Sequence, residues 1–219
     1  MKNLLLHLST VLLLAVPSWC QFRGGQDYRA TVGPITEVLR NAKVSGSLEY
    51  LGSCTGDHVP DLPSVTAPSS PSAPPVQTLR EMFANDEDMQ VTQEPDGTIR
   101  MVEKSAPQDL LSVKIRHISF DDEQNRSPIF IPKNVVWFIT HTPEVETFKK
   151  DHGIRQLGGM INEASNLVPR VSGELNNVTL REALDYVLKT FPGLWVYESC
   201  PGSGNDKRVV VFAFYRTGQ

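Results

Sequence analysis

The tetrapeptide Thr-Leu-Arg-Glu occurs twice in the chain, at residues 78–81 and 179–182. In each copy the hydroxyl and the carboxylate stand three residues apart, the spacing of a capping box, in which they satisfy the first unbonded N–H groups of a helix. Thr78, Glu81, Thr179 and Glu182 are therefore expected as caps. Behind the second copy, Leu180, Ala183, Leu184, Val187 and Leu188 fall at i, i+3, i+4, i+7 and i+8, so they share one helix face that has to be buried. Leu79, Met82 and Phe83 begin the same stripe in the first copy. Upstream, Val44-Ser45-Gly46-Ser47-Leu48 matches Val171-Ser172-Gly173-Glu174-Leu175. Taken in order, these pieces predict two divergent copies of one small unit.

The rest of the chain can be read around those copies. Residues 21–30 are polar and contain glycine, which predicts a disordered start. After Gly33-Pro34, Ile35, Val38, Leu39 and Ala42 keep helical spacing, and residues 44–51 read as a strand. A Pro- and Ser-rich run at 53–75 follows, whose composition cannot bury a core and predicts an extended, mobile excursion. Val44 lies 34 residues before Thr78, whereas Val171 lies 8 before Thr179, so the run reads as a surface insertion in the first copy. The helix begun at Leu79 should stop near Asn85-Asp86. Met89 to Gln93 and Thr98 to Glu103 then flank the turn sequence Glu94-Pro95-Asp96-Gly97, which predicts a hairpin. In the second copy a hairpin is expected from residues 193–198 and 209–215.

Between the copies, residues 110–120 read as a strand whose alternation slips near Arg116-His117, as at a bulge. Ile129-Phe130-Ile131 and the apolar run from Val135 to Ile139 read as central strands. Thr142-Pro143 opens a short helix closed by Gly153, and Ile154, Leu157, Ile161 and Ala164 continue as another helix. The expected fold class is α+β: two tandem modules of strand, helix and hairpin type, whose strands either share one mixed sheet or form separate ones. The first covers 31–104 with its insertion, the second covers 154–215, and 110–153 connects them.

The N-terminus bears Lys2, an apolar run through Leu12-Leu13-Leu14-Ala15-Val16, and Pro17-Ser18-Trp19-Cys20, the layout of a secretory signal over residues 1–20. The run is too short to span a bilayer, so no transmembrane span is expected in the mature chain. Cleavage after Cys20 and lipidation of Cys20 are both readings of this site, and the bulk of Trp19 disfavours the second. Removing the signal takes away one lysine and shifts the formal charge from −4 to −5, and no basic patch points to nucleic acid. Cys54 and Cys200 remain. In an oxidising compartment they either form a bridge, stabilising by about 3–5 kcal/mol through loop closure, or stay as two thiols.

The order helix, strand, Thr-Leu-Arg-Glu-Ala-Leu helix and hairpin resembles the short N-terminal domain shared by bacterial secretins and TonB-dependent receptors. The resemblance is carried by Val171-Ser172-Gly173-Glu174-Leu175-Asn176-Asn177-Val178-Thr179-Leu180-Arg181-Glu182-Ala183-Leu184-Asp185, with Leu188 and Gly193-Leu194, over about 150–215 and more faintly over 31–104. It implies a small periplasmic α/β module that meets other proteins and has no catalytic residues. No pore, plug or barrel sequence accompanies it, so pore assembly and receptor signalling are not carried over.

His141, Glu144, Glu146 and His152 offer metal-ligand types, but their spacing is not H-E-x-x-H, and carboxylates at a helix start complement its dipole. Asp121-Asp122-Glu123 lacks the register of a calcium loop. Residues 201–208 lack the lysine spacing of a P-loop and read as a hairpin loop. Asn177-Val178-Thr179 fits a glycosylation sequon, yet Thr179 is needed as a cap. Trp137, Trp195, Phe212, Phe214 and Tyr215 read as core aromatics or as anchors for a partner. The expectation is an exported, periplasmic or extracellular protein that is not an enzyme, holds no cofactor or metal, and binds an envelope protein through edge strands or helix faces. The alternative is a secreted enzyme or metal-binding protein using His141 and His152.

Overall fold

The computed structural model describes residues 24–52, 65–66, 73–121, 131–158 and 169–217. The elements are, in order, helix α1 (Gly24–Ala42), strand β1 (Gly46–Leu51), α2 (Pro75–Met82), the hairpin β2 (Met89–Gln93) and β3 (Ile99–Glu103), and a 3-10 turn at Leu110–Ser112. There follow β4 (Lys114–Ser119), α3 (Pro132–Thr140), α4 (Pro143–His152), β5 (Ile154–Leu157), β6 (Glu174–Thr179), α5 (Leu180–Thr190), β7 (Gly193–Pro201) and β8 (Arg208–Arg216). The protein is α+β. Six strands form one mixed sheet in the order β2-β3-β1-β7-β8-β5, and β4 and β6 form a separate antiparallel ribbon.

The six-stranded sheet is the same motif written twice. In the first unit α1 leads into β1, α2 follows, and the β2–β3 hairpin places β3 parallel to β1. In the second, α4 leads into β5, α5 follows, and the β7–β8 hairpin places β8 parallel to β5. Each leading helix ends on a left-handed residue, Lys43 at φ 56° and Gly153 at φ 65°, which stops the helix and turns the chain into its strand. The units meet where β1 pairs in parallel with β7, from Gly46 opposite Leu194 to Leu51 opposite Ser199.

This pairing corrects the alignment drawn from sequence. The counterpart of β1 is β5, and Gly173-Glu174-Leu175 belongs to the ribbon. Residues 52–74 separate β1 from α2 and residues 158–179 separate β5 from α5, stretches of nearly equal length, so the Pro- and Ser-rich run is not a surplus insertion. It stands where the second unit has β6. It is also anchored at its middle: Thr66 donates its backbone N–H to Met82 O at 2.9 Å, capping the end of α2, and Val65 packs on the first core. Pro75, the last residue of that run, is the first of α2.

Two cores lie on opposite faces of the sheet. Alternation along β1 and β7 sends Leu48, Tyr50, Leu194 and Val196 to one face, where Ile35 and Leu39 of α1 and Leu79 and Met82 of α2 cover them. Trp195 and Tyr197 point the other way, into a core built from α3, α5, β4 and β8. Thus β7 belongs to both cores. The five apolar stripe residues of α5 are all buried, as the spacing predicts.

Several local expectations fail for identifiable reasons. Residues 24–30 are helical, part of α1 rather than a disordered start. Residues 132–140 form α3, not a central strand; its apolar residues face both α5 and β8, so the near-continuous hydrophobic run hides the helical period, and the remaining signal is Pro132 in the first turn. Residues 154–157 form β5 rather than a helix, because Gly153 ends α4 and the chain is extended at once; Ile161 and Ala164 lie outside the described residues, as do Ile129 and Phe130. Residues 110–153 are not a connector: Leu110, Leu111, Ile115, Ile118, Val135 and Ile139 are core of the second unit. In β4, Ile115 and Ile118 are both buried, so the slip is real, but the register with β6 is the same on either side of it. Asn177, opposite Arg116, takes it up at φ 53° without an inserted residue.

Candidate functional site

A dense polar cluster lies at the junction of the two units. Alternation that sends Leu48 and Tyr50 into the first core sends Ser47 and Glu49 to the opposite face of β1, and the register sets Arg100 of β3 and Trp195 of β7 on either side of Ser47. Helix α5 of the second unit lies above them and contributes Arg181 and Asp185, one turn apart. The Glu49 side chain is fully buried. Its Oε1 accepts from Arg100 Nη1 at 3.2 Å and Arg181 Nε at 3.1 Å, and its Oε2 accepts from Arg181 Nη2 at 2.7 Å. Arg100 Nη2 donates to Asp185 Oδ2 at 2.9 Å and Nε to Glu94 Oε1 at 3.1 Å, while Trp195 Nε1 donates to Asp185 Oδ1 at 2.8 Å. Arg181 also donates to Gln108.

The electrostatics are those of a clamp. Burial works against the charge on Arg100, but Asp185 and Glu49 outweigh it and hold the guanidinium more firmly protonated. Burial pushes the Asp185 carboxyl up, with Arg100 opposing. Glu49 is bonded to Arg181 of the other unit and Asp185 to Arg100, so the cluster ties α5 to β1 and β3. Sequence reasoning gave none of the five charged residues, Glu49, Glu94, Arg100, Arg181 and Asp185, a place in a site. The signal was present: Glu49 is a lone charge within the apolar strand Leu48-Glu49-Tyr50-Leu51, and Arg181 and Asp185 sit at i, i+4 on the flank of the α5 stripe.

Of the His and Glu residues singled out as ligand types, His141 and Glu146 come together, Nε2 to Oε1 at 3.6 Å, while Glu144 and His152 are engaged elsewhere. His141 stacks on Trp137 with ring centroids 3.9 Å apart, and its Nδ1–H donates to Trp137 O at 2.7 Å; burial lowers its pKa. Glu144 pairs with Arg116 at 2.7 Å and Glu146 with Lys149 at 2.8 Å. His152 stacks on Phe148 at the far end of α4. Lys149 is itself buried, donating to Thr140 O at 3.0 Å and Gln156 Oε1 at 2.9 Å, and so pins α4 to the end of α3 and to β5. Among the described residues no group of three or more His, Cys, Asp or Glu side chains could hold a metal ion. Asp121 accepts from Gly173 N–H at 2.7 Å, closing the ribbon; Asp122 and Glu123 lie outside the described residues.

Of the caps, Thr179 and Glu182 form the reciprocal box, with Glu182 N–H donating to Thr179 Oγ1 at 3.1 Å and Thr179 N–H to Glu182 Oε2 at 2.6 Å. Thr78 and Glu81 do not. Pro75 starts α2 a turn earlier, so Thr78 is interior and its hydroxyl donates back to Pro74 O at 3.2 Å. Trp195 and Phe212 are core, and Trp137, Phe214 and Tyr215 are half-buried. Cys200 is disulfide-bonded; its partner is not among the described residues, and Cys54 lies outside them.

Comparison with known proteins gives no matching family model, curated protein or solved structure. Function therefore has to come from the surface. Among the described residues no helix is long and apolar enough to cross a membrane. A groove of about 410 Å³ runs between α1 and α2, lined by Pro34, Glu37, Val38, Asn41, Pro75 and Thr78. The six-stranded sheet ends on β2 at one side and on the four-residue β5 at the other, and no described strand pairs with the outer side of either.

Proposed function

We propose that this is an exported, non-enzymatic protein of the bacterial envelope, periplasmic or extracellular, that binds another protein by adding an extended segment to its sheet. The observation that carries this reading is β2, an outermost strand whose outer side meets no other described strand. An unpaired edge offers a row of N–H and C=O groups, and an incoming chain gains main-chain hydrogen bonds there while its alternate side chains set specificity. The signal-like residues 1–20 and the bonded Cys200 support export into an oxidising compartment. The likeness of residues 171–188 to the secretin and TonB short N-terminal domain supports interaction over turnover, and suggests an accessory of a secretion or signalling assembly.

Gentle crosslinking of the exported protein in envelope extracts, followed by mass spectrometry, tests the reading. One reproducible protein partner is expected. A chain that emerges uncrosslinked from every preparation contradicts it.

A further inference from the structure

The edge at β2 also specifies the kind of segment it takes. Within the hairpin, Glu94 N–H donates to Thr98 O at 2.8 Å and Lys104 N–H to Asp88 O at 3.0 Å, so the backbones of Asp88, Gln90, Thr92 and Glu94 face β3. Alternation then turns the N–H and C=O of Met89, Val91 and Gln93 outward. Met89 N–H is taken by Asp86 O at 3.2 Å, and Val91 O accepts from Arg80 Nε at 3.0 Å. Gln93 presents both of its groups. The strand itself, Met-Gln-Val-Thr-Gln, carries no proline and no charge, the devices that commonly blunt an edge; among the described residues the Arg80 guanidinium and the Asp86 carbonyl guard it in part.

Charge surrounds this neutral strand. Residues 84–98 contain Asp86, Glu87, Asp88, Glu94 and Asp96 and no Lys, Arg or His. Glu94 is bonded to Arg100, and Lys104 lies 3.9 Å from Asp88. Asp86 and Asp96 accept from backbone N–H groups of their own loops, Asp88 at 3.1 Å and Thr98 at 2.9 Å, which fixes a carboxylate at each end of the strand. Glu87 and Asp96 are exposed.

We infer that β2 receives, as a seventh strand, a β-prone segment of a partner protein flanked on both sides by Lys or Arg; this rests on the interaction reading above. A second copy of the chain fits poorly. Two β2 edges paired antiparallel would set residues 86–88 of one against Glu94 and Asp96 of the other, placing like charges together at both ends.

The probe is the labelled peptide Lys-Lys-Val-Thr-Val-Thr-Val-Lys-Lys, compared with the same core flanked by Glu, each titrated against the full mature chain by fluorescence anisotropy. The Lys-flanked peptide should bind about ten-fold tighter or more, with the gap narrowing as salt is raised. Gln93→Pro removes an outward donor while leaving the β2–β3 bonds, and should weaken binding about ten-fold with an unchanged urea midpoint. If that variant shifts the midpoint, a peptide N-methylated at alternate residues replaces it and must fail to bind. Equal binding of the two peptides, full binding by Gln93→Pro in its folded form or by the N-methylated peptide, or concentration-dependent dimerisation through β2 overturns the assignment. Crosslinks to a partner that map away from residues 84–98 also overturn it and leave the interaction reading standing; a chain that neither crosslinks to a partner nor binds either peptide removes both.

Discussion

One tetrapeptide has two fates in this chain, and the difference lies in a neighbouring proline. Thr179 ends a strand, keeps an extended backbone and closes the box with Glu182. Thr78 follows Pro75, whose fixed φ starts the helix sooner and leaves the threonine inside it. Replacing Thr179 with Ala should cost about 1 kcal/mol in urea unfolding. It should also flatten the acid limb of stability. Hydrogen bonds from the Thr179 backbone and hydroxyl hold Glu182 below the usual carboxylate range. The unfolded chain therefore binds the proton first, and this stabilisation is complete above the ordinary Glu value and is lost as pH falls through the folded one. The backbone N–H, the larger cause, survives in Thr179→Ala, so the flattening is partial; unfolding midpoints of the wild type and the variant between pH 2 and 7 check this, and parallel curves would count against the hydroxyl's share in the box. At this scale the sequence was readable where a residue acts locally, as at Thr179, the α5 stripe and the Pro95–Gly97 turn. It was unreadable where a side chain works across the fold: Glu49 pairs with residues far along the chain, and no spacing rule brings them together.

At the scale of elements, the clamp between α5 and the first unit is the feature most open to mutation. Glu49→Ala would leave Arg100 and Arg181 facing each other without their shared carboxylate in a buried site, and should cost about 3–5 kcal/mol in urea unfolding. Glu49→Gln keeps the shape and part of the bonding, so a smaller loss is expected. Equal, small effects of both would mean that the cluster contributes little to holding α5 in place. Gly193 makes a separate demand, since a Cβ there would run into the Tyr215 carbonyl and the Phe214 ring. Gly193→Ala should therefore destabilise by about 1–3 kcal/mol through overpacking, measured in the same titration; a neutral result would show that β8 yields at no cost. The elements missed from sequence, α3 and β5, share a cause. Helix α3 is packed on two sides and loses its polar stripe, whereas β5 is too short to show alternation. Elements with one wet face, such as α5 and the β2–β3 hairpin, were legible.

For the whole molecule, duplication was legible but its alignment was not. The shared Val-Ser-Gly pieces mark non-equivalent places, one leading into β1 and the other into β6, and the true counterparts β1 and β5 have little sequence in common. Topology relates them: leading helix, strand, second helix and hairpin, with the leading strand parallel to the hairpin's last strand in both units. The β1–β7 pairing turns two three-stranded sheets into one of six, and so determines which strands are left outermost for a partner to join. Native-state hydrogen exchange on β7 tests that junction most directly. Since Thr217 N–H donates to Pro192 O, Gly193 N–H to Ser45 Oγ and Gly52 N–H to Ser199 O, the amides of Val196 and Glu198 face β8 while those of Trp195, Tyr197 and Ser199 face β1. With the junction formed, both sets should exchange slowly and with similar protection. Slow exchange at Val196 and Glu198 beside fast exchange at Trp195, Tyr197 and Ser199 would mean that β1 does not pair with β7, and the single six-stranded sheet would not exist.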